Sequence, residues 1–267
     1  KNPVIEKLSE FKKEKVQFIQ NDINLGLVGT LNRLMLHAKG NLCIVFASDD
    51  ISALNRVEST YIFWLDNNRP SSIFSALAVI DENDKIVGEK LSKEKYWKSN
   101  QRKLQSKLIF RQCNVFGCSH AWTRNVFSKF GPLNNNVINE DRTIPFRSAL
   151  LNGVKYIPEK LVFYRVGTGI SSLKNDDNYS MLFVYNKVNA VRELNDLNQN
   201  YLDASKVNSK LIHSIKKRIS EVQLQLHLSE KNLSFFEILR MSIIAIHNRA
   251  RVFRVIKLIK PYIFYKG

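Results

Sequence analysis

A short apolar run, Leu42 to Ala47, stops abruptly at two adjacent acids, Asp49 and Asp50. A run of that length and makeup reads as a strand buried on both faces, as in a parallel or mixed sheet covered by helices. In open α/β sheets, ligands bind at the carboxyl ends of strands. Two carboxylates placed there can hold a hard divalent cation, and the cation can hold phosphate oxygens. The same residues also read as an ordinary acidic turn, so the flanking sequence has to decide.

Upstream, residues 3–15 have helical spacing, with Val4, Ile5, Leu8 and Phe11 on one face. Val16–Ile19 reads as a short strand and residues 21–26 as a turn. Residues 27–39 read as a helix ended by Gly40. Residues 3–47 therefore alternate helix, strand, helix, strand, which is an α/β wound pattern. Downstream, 55–67 is amphipathic and Ser72–Ile80 is apolar and β-compatible. Asp81–Asp84 then turns the chain into a hairpin partner at 85–88. Residues 89–107 are basic, and 123–130 is helix-like before Gly131-Pro132. Residues 139–151 open with acids suited to a helix N-terminus, with Pro145 near the first turn. Val154–Ile157 and Leu161–Tyr164 read as two short strands. From about 173 the chain becomes Asn- and Asp-rich and then helical at 210–228 and 234–259.

Charge narrows the partners. The 267 residues carry a net charge of +17, which predicts an anionic partner. Between 205 and 267, thirteen Lys and Arg stand against three Glu, so this region holds more than half of the surplus. No uncharged run approaches the ~18 apolar residues of a spanning helix. The first twenty residues are charged throughout, so no secretory leader is expected. Cys43, Cys113 and Cys118 form no zinc or pairing pattern, which fits a reducing compartment.

Several pieces now stand in a familiar order. Asn24-Leu-Gly26, Leu31-Asn32, Ala38-Lys-Gly40, a strand and Ser48-Asp49-Asp50 resemble family 2 glycosyltransferases of the GT-A fold. Glu140-Asp141 is similar to the family's ED motif, Phe116-Gly117 to Gly131 to its acceptor-side segment, and Tyr164-Arg165 to a following YR pair. The resemblance covers residues 3–172. It implies an α/β, GT-A (Rossmann-like) mixed central sheet flanked by helices over 1–172. Residues 173–267 form a basic helical C-terminal extension. The family opens with an apolar strand ahead of the helix at 3–15. That strand is absent here, so the chain is expected to be a member trimmed by roughly forty residues.

The resemblance also implies site roles. Asp50 is the candidate metal ligand for Mn²⁺ or Mg²⁺, and Asp49 a ligand or ribose contact. Asp141 is the candidate general base, with Glu140 orienting it or touching acceptor. Asn24, Gly26, Asn32 and Arg165 are candidates on the nucleotide-sugar side. A metal ligand and a base on separate segments can address the anomeric carbon from opposite sides, which predicts inversion. The expected partners are a nucleotide-diphosphate sugar donor and a glycan or lipid-linked acceptor. The expected setting is bacterial surface-polysaccharide assembly, such as O-antigen or capsule. The basic C-terminal helices read as contacts to an anionic membrane, giving an enzyme peripheral on the cytoplasmic face.

Other readings stay open at this point. Glu140 and Asp141 also suit any helix N-terminus, Asn24 and Gly26 any turn, and Arg165 a surface ion pair. His120 beside Trp122 reads as a packed aromatic pair, or as a platform for acceptor sugar, and His37 as structural. The charge alone would allow a nucleic-acid binder, but no helix-turn-helix, zinc-finger, RNP or KH pattern is present, so no nucleic acid is expected. A catalytically degenerate transferase-like domain is the other alternative. Gly26-Leu-Val-Gly29 is not a dinucleotide fingerprint.

Overall fold

The computed structural model describes residues 16–167, 179–229, 233–248 and 250–264, with side chains omitted at 179–186 and 261–264. The expected helix at 3–15 and the boundary near 172 lie outside the described residues.

In chain order the elements are α1 (Gly26–His37), β1 (Leu42–Ile44), β2 (Ile51–Ser52), α2 (Arg56–Asp66), β3 (Ser72–Ile80) and β4 (Ile86–Lys90). Next come α3 (Glu94–Trp97), α4 (Gln101–Ile109), a 3₁₀ turn at Gly117–Ser119, β5 (Ala121–Thr123), α5 (Asn125–Phe130), α6 (Glu140–Leu150) and β6 (Val154–Arg165). The extension contributes α7 (Tyr179–Val207), α8 (Ile212–Leu228), α9 (Phe235–His247) and α10 (Val252–Phe264). The mixed sheet flanked by helices, and the helical extension, are as the sequence predicts.

The sheet order is β1-β5-β3-β6-β2, with β4 also paired to β3. β3 and β6 are parallel, and β1–β5, β5–β3, β3–β4 and β6–β2 are antiparallel. Two antiparallel steps restore direction, so β1 runs the same way as β3 and β6. Their carboxyl ends therefore share one edge, where the segments Asp49-Asp50, Asp81–Asp84 and Arg165 emerge.

β3 lies at the centre. Its Ile73 packs with Trp64, Ile157 and Leu161 on one face. Its Phe74 packs with Trp97, Leu104, Ala149 and Tyr156 on the other, following the two-residue alternation of a strand. A third cluster joins α1 (Val28), β5 (Trp122), α5 and α6 (Ile144). The extension shares the core rather than trailing from it: Ile109 and Phe146 pack with Ala190, Leu197, Ala204 and Ile215.

Several local expectations are corrected. Val16–Ile19 is not a strand, because no partner pairs with it among the described residues. The strand after α1 is three half-buried residues, not a run buried on both faces, because β1 is an edge with β5 as its partner. α1 ends at His37, before Gly40, with Ala38 as its cap. The two strands at 154–157 and 161–164 are one strand. Ser75 pairs with Ile157 and Ala76 with Lys160, so Pro158 and Glu159 bulge out where proline cannot donate to the ladder. Pro145 lies in the interior of α6, not in its first turn, and removes the helical donor for the Asp141 carbonyl. Residues 234–259 are broken into α9 and α10.

Candidate active site

The Asp49-Asp50 turn is held by two arginines. Arg56, at the start of α2, is only 3% exposed. Its Nη2 donates to the carbonyls of Val45 (2.6 Å) and Cys118 (2.9 Å), and its Nη1 to Ser52 Oγ (3.2 Å). It therefore ties the end of β1, the end of β2 and the Gly117–Ser119 turn to one cation. Arg165, at the end of β6, works from the other side. Its backbone N–H donates to Asp50 Oδ1 (2.9 Å), and its Nε to the Asp49 carbonyl (3.0 Å). Its Nη1 and Nη2 reach the Asp81 carbonyl (2.8 Å) and Asp84 Oδ1 (2.5 Å) in the β3–β4 turn.

The turn leaves the Asp49 side chain exposed and the Asp50 side chain half-buried. The Cys118 thiol lies beside the Asp50 carboxylate. Burial, with Asp50 beside it, pushes the Cys118 thiol up to about 12. Among the described residues no three His, Cys, Asp or Glu side chains converge as a metal cage. A cation here would take at most the Asp49 and Asp50 carboxylates from the protein. That donor set fits Mg²⁺ or Mn²⁺, which share their remaining positions with phosphate and water.

The second acid pair opens α6. Glu140 and Asp141 stand in its first turn, where the helix dipole favours negative charge. Burial opposes it. Burial, and the neighbouring Asp141, push Glu140 up to about 7. Burial also raises Asp141, with Arg142 and Arg111 pulling the other way. Gly117 lies directly against both. A Cβ on it would stand 3.1 Å from Glu140 Oε1 and 3.3 Å from Asp141 Cβ. The absence of a side chain at 117 lets the two segments touch.

Gly117 and Cys118 thus join the site. One meets Glu140 and Asp141, and the next meets Asp50. Residues far apart in the chain are brought to either side of a single peptide unit.

The remaining candidates take structural partners. Asn24 Oδ1 accepts the Gly26 N–H (2.8 Å), and Gly26 adopts φ +67°, so these two build the turn into α1. Asn32 exchanges two bonds with the Leu133 backbone, 2.7 and 2.8 Å, and fastens α1 to the segment after α5. His120 is buried edge-on to Trp122, with burial driving it down to about 3, so it is a packed aromatic pair. His37 lies exposed at the end of α1.

Sequence reasoning missed Arg56, the approach of Cys118 to Asp50, and Asp196 of α7, which accepts from Asn139 beside Glu140. Arg56 had a faint signal as a cation opening an amphipathic helix six residues after Asp50. The Cys118 contact had none.

Residues 3–129 match the family model described as glycosyl transferase family 2. The matched stretch contains Asp49, Asp50, Gly117 and Cys118 and stops before Glu140. An uncharacterized glycosyltransferase of Methanocaldococcus jannaschii is 32% identical over 101 residues, which is 36% of this chain. The chain spans 34% of the length of that curated relative. Among solved structures, the mannosyltransferase PcManGT from Pyrobaculum calidifontis, in complex with GDP-Man and Mn²⁺, is similar with a TM-score of 0.45. The identity there is 11%, over 99% of this chain and 74% of that one, a likeness too loose to inform the chemistry. Over residues 3–129 the chain is thus similar to family 2 glycosyltransferases.

Proposed function

We propose that the chain is an inverting, metal-dependent glycosyltransferase. It moves a sugar from a nucleotide-diphosphate sugar to a hydroxyl of a glycan or lipid-linked acceptor in surface-polysaccharide biosynthesis. The observation that carries the reading is the pair of acid sites on either side of Gly117 and Cys118.

Asp49 and Asp50 are the residues that would hold Mn²⁺ or Mg²⁺. Such an ion, when bound, neutralises the charge that builds on the leaving diphosphate. The Arg165 backbone N–H holds the Asp50 carboxylate in place for that task, with the Cys118 thiol beside it, and Arg56 supports the turn beneath it. Asp141 takes the proton of the acceptor hydroxyl as its oxygen attacks the anomeric carbon. Glu140, whose proton affinity lies close to neutrality, shares and orients that proton. One displacement with the base and the leaving group on opposite sides inverts the anomeric centre. Asn24, Gly26 and Asn32 serve the nucleotide side by shaping the start of α1 rather than by direct grip.

The division into a catalytic unit over 1–172 and an extension over 173–267 belongs to the same proposal, as does contact with an anionic membrane. Among the described residues no helix is long and apolar enough to cross a membrane. α9 exposes Phe235, Phe236, Leu239 and Ile243, and α10 exposes Val252, Phe253 and Ile256. Arg240, Lys257 and Lys260 are exposed on the same two helices. An apolar surface flanked by cations fits the interface of an anionic bilayer.

The deciding experiment is thermal unfolding with UDP, GDP, CDP and dTDP, each with and without Mn²⁺. A ligand that binds the folded state raises Tm. The expected result is a Mn²⁺-dependent rise with one nucleotide that disappears in Asp50→Ala. No rise with any nucleotide would sink the reading.

A further inference from the structure

Helix α7 presents a polar stripe to the catalytic half of the chain. Glu193, Asp196, Gln199, Asp203 and Lys206 recur three or four residues apart and so share one helical face. Together they grip several segments around the acid pair. Glu193 and Asp196 take the two Nη atoms of Arg111, at 3.4 and 2.9 Å. Gln199 accepts the Asn134 N–H at 2.9 Å, Asp203 pairs with Arg147, and Lys206 donates to the Phe130 carbonyl at 3.0 Å.

Asp196 is the member nearest the chemistry. Its Oδ2 accepts from Asn139 Nδ2 at 2.9 Å as well as from Arg111. Asn139 immediately precedes Glu140, and its carbonyl accepts the N–H groups of Arg142 and Thr143 in the first turn of α6. Arg111 adopts φ +51°, a left-handed conformation uncommon outside glycine, while it reaches both acids of α7. Asp196 is 2% exposed, and its Oδ1 is buried without a hydrogen-bond partner. Such a group costs stability, so packing alone does not account for it.

We infer that Asp196, supplied by the C-terminal extension, is a positioning residue for Glu140 and Asp141. By holding Asn139 and Arg111 together it sets the first turn of α6, and the acid pair is incomplete without α7. The inference rests on the proposed role of that pair in transfer. The charges around it are known: Arg111 and Arg142 face Asp141, Asp196 and Asp141 act on Glu140, and Glu193 is shared between Arg111 and Arg218.

The test uses the full chain, with Asp196→Asn as a near-isosteric variant and Asn139→Ala to break the same contact from the other side. In protein carrying ¹³C-labelled glutamate, the Glu140 carboxyl is assigned with Glu140→Gln and titrated by NMR. Its midpoint is expected to move down in Asp196→Asn, because a negative charge beside it is lost. Amide exchange at Arg142 and Thr143 is expected to speed up by about tenfold in Asn139→Ala, the size of one lost charge-assisted hydrogen bond. An unchanged Glu140 midpoint together with unchanged exchange would overturn the role of Asp196. Asp141→Asn with normal sugar transfer would instead overturn the base assignment and leave the Asp196 contact standing.

Discussion

Arg147 and Asp203 form an ion pair with both side chains fully out of solvent: Nε to Oδ2 is 2.7 Å and Nη2 to Oδ1 is 3.2 Å. The same guanidinium donates to the carbonyls of Gly131 (2.7 Å) and Pro132 (3.3 Å) and lies over the rings of Phe127 and Phe130. It welds α6 to α7 and to the turn after α5. Removing one partner of a buried pair strands the other charge. Asp203→Ala should therefore destabilise the protein by about 3–5 kcal/mol, read from urea unfolding. Replacing both, as Arg147→Met with Asp203→Leu, should recover much of that loss. A single variant within about 1 kcal/mol of the parent would mean that the pair is not buried as described.

The two acids of α6 can be told apart by kinetics. Asp141→Asn should spare the Mn²⁺-dependent rise in Tm with nucleotide and lower turnover by about 10²–10⁴, the usual contribution of a general base. Glu140→Gln should lower turnover less and change its pH profile. If Glu140→Gln proved the more damaging and Asp141→Asn turned over normally, the two roles would be exchanged.

Stability should fall as pH rises across the range set by the raised acids. Glu140 sits at about 7 and Asp196 at about 6, both above the ordinary carboxylate range, with burial the main cause. Between roughly pH 4 and 7 the folded state binds more protons than the unfolded one, so unfolding free energy declines with pH there. The contribution is complete below the unfolded values and gone above the folded ones. Chemical denaturation at a series of pH values should show this slope, and Glu140→Gln should flatten its upper part. A parent profile already flat over that range would contradict the burial of these acids.

The membrane proposal has its own readout. The full chain should co-sediment with vesicles containing phosphatidylglycerol and only weakly with phosphatidylcholine alone. Phe236→Ser with Phe253→Ser, both exposed side chains, should abolish the binding without lowering Tm. Raised salt should weaken it in part, since the cationic share is screened and the apolar share is not. Equal sedimentation by parent and variant would remove α9 and α10 as the contact.

By itself the sequence determined the features that depend on near neighbours. The helices at α1 and α2, the strand β3, the hairpin turn at Asp81–Asp84, the acids after the β1 segment and those opening α6 follow from periodicity and turn chemistry within a few residues. Tertiary structure decided the rest. Pairing made β1 an edge strand and threw Pro158 and Glu159 into a bulge. Distant carbonyls took up the Arg165 guanidinium, and the Leu133 backbone took up the Asn32 amide. The Gly117–Cys118 step brought the two acid pairs together, and α7 set Asp196 against Asn139, 57 residues away in sequence. Contacts of that separation leave no local pattern, because each partner alone satisfies the same rules as any surface polar residue. Only the folded chain selects which ones meet.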